Sequence, residues 1–157
     1  MKQRFGKSAL LAGAAVFFCV ASPGDVQAQA TAKSANIDKA AAEVRSSAAY
    51  AELLLKKTEV QAEVEGLAME YTEEFPKLVE ARYALEVIEK ERLRLLSVKS
   101  AAASKLTIAL GKLMVRKIEH EVELWTLRKS LQDAHPDVKR AKRKVDIYES
   151  AIKEILG

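Results

Sequence analysis

The sequence predicts an all-α protein of elongated antiparallel coiled-coil helical hairpins that share one long central helix. Three observations support this fold: a repeated stretch, the spacing of its apolar residues, and a scarcity of helix-breaking residues. The stretch from Phe75 to Leu96 recurs 60 residues later, from His135 to Leu156, and a proline follows the first residue of both copies. Proline is tolerated in the first turn of a helix, where its missing N–H has no partner to lose. Each copy therefore predicts a helix that begins directly after a tight turn.

The apolar residues of the second copy are spaced alternately three and four apart, which is the a/d pattern of a coiled-coil seam. They are Val138, Ala141, Val145, Tyr148, Ile152 and Ile155. The first copy keeps this register, with Arg92 as its one polar exception. A helix with such a stripe has to bury it against another helix. Beyond residue 30 the turn-forming residues are too few for a β domain: Gly66, Gly111, Gly157, Pro76 and Pro136.

Residues 1–30 have the pattern of a bacterial secretory signal peptide. Positive charges near the start precede an uncharged apolar run from Ser8 to Ala21, and small residues around Ala28 offer a cleavage site. An uncleaved anchor is the less favoured alternative, because a membrane span needs roughly 20 apolar residues. Cys19, the only cysteine, lies inside this leader. The exported chain is therefore expected to be periplasmic or secreted and to lack disulfides and thiolate metal sites.

After the leader, residues 31–37 are expected to form a flexible tail, followed by one helical coiled-coil domain over 38–157. The predicted helices cover about 38–71, 76–131 and 136–156, with Asp38 as a possible N-cap of the first. The middle helix is expected to run through Ala101–Ala103, because alanine is the best helix former, and any bend in it is expected at Gly111. At 1.5 Å per residue it would be roughly 80 Å long, and the other two helices would fold back along its two halves.

Charge is distributed unevenly along the chain. Loss of three basic residues and Asp25 with the leader lowers the formal net charge from +4 to +2. Residues 31–96 carry 10 positive and 13 negative charges, whereas residues 97–157 carry 13 and 8. This asymmetry favours antiparallel or head-to-tail contact between copies. Together with an apolar stripe wider than a dimer seam, it predicts a homo-oligomer or a helical envelope partner.

The basic run 139–144 suggests anionic polysaccharide or lipid headgroups as further partners, and export argues against nucleic acid. The simpler interpretation is a solvated flank of the coiled-coil seam.

No catalytic, cofactor-binding or metal-ligating residues are predicted, and the chain is not expected to be an enzyme. His120 and Glu123 share a helix face and could hold a metal with a third ligand, but a charged, solvated face is the favoured interpretation. His135 is expected to shape the second turn. Trp125 falls on the apolar stripe, so a place in the core or an interface is favoured over ligand stacking.

The segments Tyr71–Val79 and, more closely, Ala134–Ala141 resemble the periplasmic coiled-coil arms of polysaccharide chain-length determinants, the co-polymerase family. In that family a short polar turn and a His-Pro-x-Val step open a returning helix. The resemblance covers about residues 50–96 and 120–156, without the family's membrane helices or α/β base. It implies helical hairpins and a link to envelope polysaccharide export. We therefore expect an exported, non-enzymatic scaffold that oligomerises; the alternative is a periplasmic chaperone or adaptor that holds clients between helical arms.

Overall fold

The computed structural model describes residues 39–157, and over this range the prediction of an all-α fold is confirmed. It has four long α-helices and a short 3-10 helix, Ser100–Lys105; the long helices are α1 (Ala48–Glu70), α2 (Pro76–Leu96), α3 (Ile108–Arg128) and α4 (Pro136–Leu156). The predicted leader, the 31–37 tail and the Asp38 cap lie outside the described residues. None of the described helices is long and apolar enough to cross a membrane.

The prediction of one central helix over 76–131 is wrong. The chain leaves α2 at Ser97, passes through the 3-10 helix and reverses before α3 begins at Ile108. Each long helix is therefore 21 to 23 residues, or roughly 32–35 Å at 1.5 Å per residue. The molecule is a compact set of helices rather than two arms that share an 80 Å rod.

Burial explains why the alanine run does not keep the helix going. Alanine improves helix propensity by at most about 0.7 kcal/mol per residue over ordinary residues. Burying a leucine side chain is worth roughly 1.5–3 kcal/mol. The reversal allows Leu95, Leu106 and Leu110 to be buried together in one core. The Thr107 side chain then caps α3 by accepting a hydrogen bond from the Leu110 N–H at 3.3 Å.

The first helix also differs from the expected range of 38–71. Residues 39–45 are helical, but the chain breaks at Ser46 and Ser47 before α1 begins. Ser47 has an extended backbone, and its side-chain oxygen accepts a hydrogen bond from the Tyr50 N–H at 3.3 Å. This N-cap competes with helix continuation. The break turns Val44 into the core, where it is buried.

Within each helix pair the two helices run antiparallel. In the first helix pair, α1 and α2, Lys57 Nζ lies 2.6 Å from Glu89 Oε1. In the second helix pair, α3 and α4, Lys144 Nζ lies 3.2 Å from Glu123 Oε1. Both returning helices begin with a proline in the first turn, as the sequence predicted.

The two helix pairs stack with α1 and α3 parallel. The Ala49 N–H donates to the Leu106 carbonyl at 3.2 Å, and Lys56 Nζ lies 3.5 Å from Glu119 Oε1. α3 is the central helix, because it packs against α1, α2 and α4. The buried core joins both pairs and includes Leu53, Ile88, Leu95, Leu110, Met114, Ile118 and Ile152.

The structure extends the repeat found in the sequence to both helices of each pair. α1 and α3 begin 60 residues apart, and so do α2 and α4. The caps correspond, because Ser47 and Thr107 each accept a hydrogen bond from the N–H three residues on. The chain is therefore one helix pair used twice.

Candidate functional site

The most concentrated charge of the described residues lies where α2, α3 and α4 meet. Lys117 is buried at this junction and donates to the carboxylate of Glu91, which is also buried. Its Nζ also lies 3.1 Å from Glu149 Oε2. Arg94 binds the same Glu149 carboxylate through two hydrogen bonds, of 2.9 and 3.1 Å. We call these four residues together with Glu121 the junction cluster.

The junction cluster shifts the pKa values of two of its members, Glu149 and Lys117. Burial alone would raise the pKa of Glu149, but hydrogen bonds from Arg94 and Lys117 outweigh it and lower that pKa to about 2. Burial likewise acts to lower the pKa of Lys117, yet its hydrogen bond to Glu91 and the surrounding carboxylates leave it raised. Both groups are therefore held in their charged forms over the physiological range.

One member of the junction cluster is incompletely satisfied. Glu121 Oε2 is buried and accepts no hydrogen bond within the described part of the chain. It lies 3.6 Å from Lys117 Nζ, close enough for Coulomb attraction but too far for a good hydrogen bond. Buried ion pairs contribute little net stability, and their best-attested role is to fix the register in which helices pack against one another. The junction cluster joins the second helix pair to the first, since its members lie on α2, α3 and α4.

The structure gives His120 a packing role. Its Nδ1 lies 3.0 Å from Glu123 Oε2, as the shared helix face predicted. The next group on Glu123 is the Lys144 ammonium, a cation that cannot be a metal ligand. The His120 ring lies 5.2 Å from the Tyr148 ring, so it contributes to the contact of α3 with α4. Between residues 39 and 157, no group of three or more His, Cys, Asp or Glu side chains could hold a metal ion.

His135 shapes the second turn, as expected. Its Nδ1 accepts a hydrogen bond from the Asp137 N–H at 3.2 Å, which caps the start of α4. This is the role that serine or aspartate plays at most helix starts.

Trp125 belongs to an interface between helices, as expected. Its ring stacks on Tyr83 of α2, with centroids 4.3 Å apart and planes 6° from parallel. The Lys129 ammonium lies 3.4 Å from the centroid of the Trp125 ring, a cation–π contact. The sequence spacing predicts the place of Trp125 on its stripe, but its stacking partner depends on the reversal at 97–107, which the alanine run does not predict.

The basic run 139–144 divides into paired and unpaired charges. Arg140 pairs with Asp137, and Lys144 pairs with Glu123. The other basic residues of the run are exposed and make no ion pair with any described residue: Lys139, Lys142 and Arg143.

An open groove of about 400 Å³ lies between α1, α2 and α3. Its floor is apolar and its rim carries Lys and Glu side chains; the floor consists of Val60, Ala81, Ala84, Ile88, Ile118 and Val122. The apolar floor makes the groove a surface that suits apolar groups.

Comparison with known proteins gives no relative: no family model matches the chain, and no similar curated protein or solved structure was found.

Proposed function

We propose that this chain is an exported, non-enzymatic scaffold of the bacterial envelope that associates with itself and serves polysaccharide export. One observation carries the proposal. Leu54 and Leu55 stand side by side on α1 and are 45% and 58% exposed. Ala51 and Thr58, also exposed, lie one turn away on the same surface. Exposed apolar side chains that lie next to one another support contact with another protein surface.

Each helix pair acts as a coiled-coil hairpin in this proposal. The a/d residues Val138, Ala141 and Ile152 of α4 are buried, which supports a seam along α3. The charged residues that a catalytic hypothesis would use support a scaffold instead, because the junction cluster and the Glu123–Lys144 pair fasten helices together. A rigid unit of two hairpins suits a building block of a larger assembly.

Two features of the sequence support the location and the polysaccharide link. The leader pattern in residues 1–30 supports export. The resemblance at Ala134–Ala141 and the exposed cations Lys139 and Lys142 support contact with anionic polysaccharide, since such cations attract a polyanion at long range.

Two measurements on the full-length gene product test the export and self-association. Mass spectrometry of the protein from a bacterial host should find a chain in the periplasm that begins at Gln29 or Thr31. Sedimentation of that chain should show species larger than a monomer at micromolar concentration. An envelope-bound chain that keeps Met1 would contradict export, and a stable monomer would contradict self-association.

Binding to alginate, with neutral dextran as the comparison, tests the polysaccharide link. Lys139→Glu combined with Lys142→Glu should weaken alginate binding, whereas Lys99→Glu, an exposed cation outside the run, should have little effect. Equal binding to both polysaccharides would argue against the link.

The groove supports a second candidate function, a periplasmic chaperone that holds apolar segments of clients. The supporting observation is its apolar floor within a charged rim. The protein should then suppress aggregation of an unfolded reporter, and Ala84→Asp in the floor should remove that activity. Failure of the wild-type chain to delay aggregation would exclude this candidate.

A further inference from the structure

The contact between the two helix pairs uses a different face of each pair. From the first pair, it uses Ala49 and Lys56 of α1 and the Val87 side of α2. From the second pair, it uses the side of α3 that carries Gly111 and Glu119. Because the two pairs are repeats of one another, the face that one pair uses in this contact has a counterpart, offset by 60 residues, on the other pair. Those two counterpart faces lie at opposite ends of the stack.

We name the counterpart face on the first pair the head face. It lies on α1 and consists of Ala51, Leu54, Leu55, Thr58, Glu59 and Glu65. Their counterparts 60 residues later include Met114 and Ile118, which are fully buried at the contact between the pairs. Leu54 and Leu55 are thus apolar where the repeat needs apolar residues, but in the first pair nothing among the described residues covers them.

We name the counterpart face on the second pair the tail face. It consists of Ala109, Lys112 and Arg116 on α3 and Arg143, Ile147 and Ser150 on α4. Ala49 and Val87, the counterparts of Ala109 and Ile147, are buried against the second pair. Ile147 is 54% exposed on α4. Ile147 is therefore apolar at a position whose counterpart in the first pair, Val87, is buried.

The charges of the two faces are complementary at two positions. Within the chain Lys56 pairs with Glu119 at 3.5 Å. The corresponding residues across a junction of two copies are Arg116 on the tail face and Glu59 on the head face, again a cation and an acid. The stacked Tyr83 and Trp125 correspond to Arg143 and Glu65, which are also opposite in charge.

Two correspondences are unfavourable. Gly111, where α1 and α3 come closest within the chain, corresponds to Ala51 on the head face, whose Cβ prevents an equally close approach to Ala109. The Arg94–Glu149 pair of the junction cluster maps onto Glu154 of one copy and Glu89 of the next, two acids. Lys57 Nζ lies 2.6 Å from Glu89 and offsets that repulsion. The junction between copies should therefore be weaker than the contact within the chain.

We propose that copies of this chain stack head to tail, with the tail face of one copy packed on the head face of the next. The occupant of each face is a second copy of this chain, in a contact that corresponds to the one between the two helix pairs but has the helices farther apart at Ala51. Because the two faces differ, this contact is heterologous and produces a ring or an open series of oligomers rather than an isologous dimer. The inference rests on the self-association in the proposed function and specifies its geometry.

Single-face variants test the geometry. Leu54→Asp blocks only the head face and Ile147→Asp only the tail face, and both residues are exposed, so each variant should fold. A charge at the centre of an interface should weaken association at least about 30-fold, a typical hot-spot effect. In sedimentation each variant alone should be a monomer, whereas wild type should form a ring or a series that grows with concentration. An equimolar mixture of the two variants should give a heterodimer and nothing larger, since it contains one intact head and one intact tail.

Leu93→Asp is the matched control. Leu93 is 65% exposed on α2, and its counterpart Lys153 stays exposed within the chain, so the proposal leaves both uncovered. This variant should assemble like wild type, and circular dichroism should show all three variants equally helical.

The possible results separate the inference from the proposed function. A wild-type chain that stays monomeric overturns both. A wild-type chain that associates, while the mixed variants form no heterodimer, overturns the head-to-tail geometry and leaves self-association standing. Oligomers of Leu54→Asp alone would also overturn it.

Discussion

Two glycine-to-alanine substitutions should change stability in opposite directions. Replacing a glycine inside a helix by alanine normally stabilises it by about 0.8–1 kcal/mol. Gly66 in α1 has open space where a Cβ would be, so Gly66→Ala should show that gain. At Gly111 in α3 a Cβ would lie 2.8 Å from Glu52 Cβ and 2.9 Å from Ala49 Cα. Because one of these atoms is backbone, the clash is relieved only if α1 and α3 move apart.

The stability change expected for Gly111→Ala is the sum of two opposing effects, the cost of overpacking and the gain in helix propensity. Overpacking a tight contact costs about 1–3 kcal/mol, which offsets the gain in helix propensity and leaves a net loss of up to about 2 kcal/mol. The two variants should therefore differ by about 1–3 kcal/mol. For a domain of this size that is a difference in Tm of roughly 3–15 °C.

Thermal melts followed by circular dichroism measure the difference. All samples should have the same protein concentration, because association with a partner or copy shifts the apparent Tm. If Gly111→Ala stabilises the protein as much as Gly66→Ala, the helices do not approach at Gly111, and the stacking of the two pairs described above is incorrect.

Two further predictions concern the junction cluster. Lys117→Met leaves the buried Glu91 carboxylate without its cation and should lower the free energy of unfolding in urea by about 3–5 kcal/mol. Adding Glu91→Leu should recover most of this loss. A double variant as unstable as Lys117→Met alone would contradict the prediction. Because the pKa of Glu149 is about 2 in the folded chain and 4.5 without its partners, its contribution is fully present above pH 4.5 and lost as the pH falls toward 2, on the order of 3 kcal/mol. Glu149→Gln should flatten this part of the stability profile, and an unchanged profile would contradict the assignment.

Local signals predicted the returning helices well. Pro136 and the regular stripe after it define α4, whose range of 136–156 is the expected one. Pro76 gives the start of α2 in the same way. These features are readable because they depend on residues within a few turns of one another.

Helix propensity does not predict the reversal between α2 and α3, because it leaves out the burial of side chains that competes with it. Ala101–Ala103 indicates a helix locally, while the burial of Leu106 depends on residues far away in sequence. One signal could have corrected the error: the 60-residue offset continues upstream from the prolines, so Thr107 matches Ser47 and a helix start belongs at both. Gly111, expected to bend a long helix, instead lies within α3 where α1 comes closest.

The junction cluster could not have been predicted for the same reason. Lys117 is one of 26 basic residues, and nothing in its neighbours along the chain marks it for burial. Its partners Glu91 and Glu149 lie on two other helices, so the cluster exists only once the reversal and the stacking are known.

The central position of α3 has a consequence for how the chain opens. Amide protons of α3 should exchange with solvent only through global unfolding, because releasing this helix separates it from all three of its neighbours. α4 packs mainly on α3, and its links to α2 are few, chiefly the Arg94–Glu149 pair, so we expect it to detach as a unit before the other helices. Its amides should exchange sooner, and a protease should cut first in the turn at Gln132–His135, which precedes the helix that can leave.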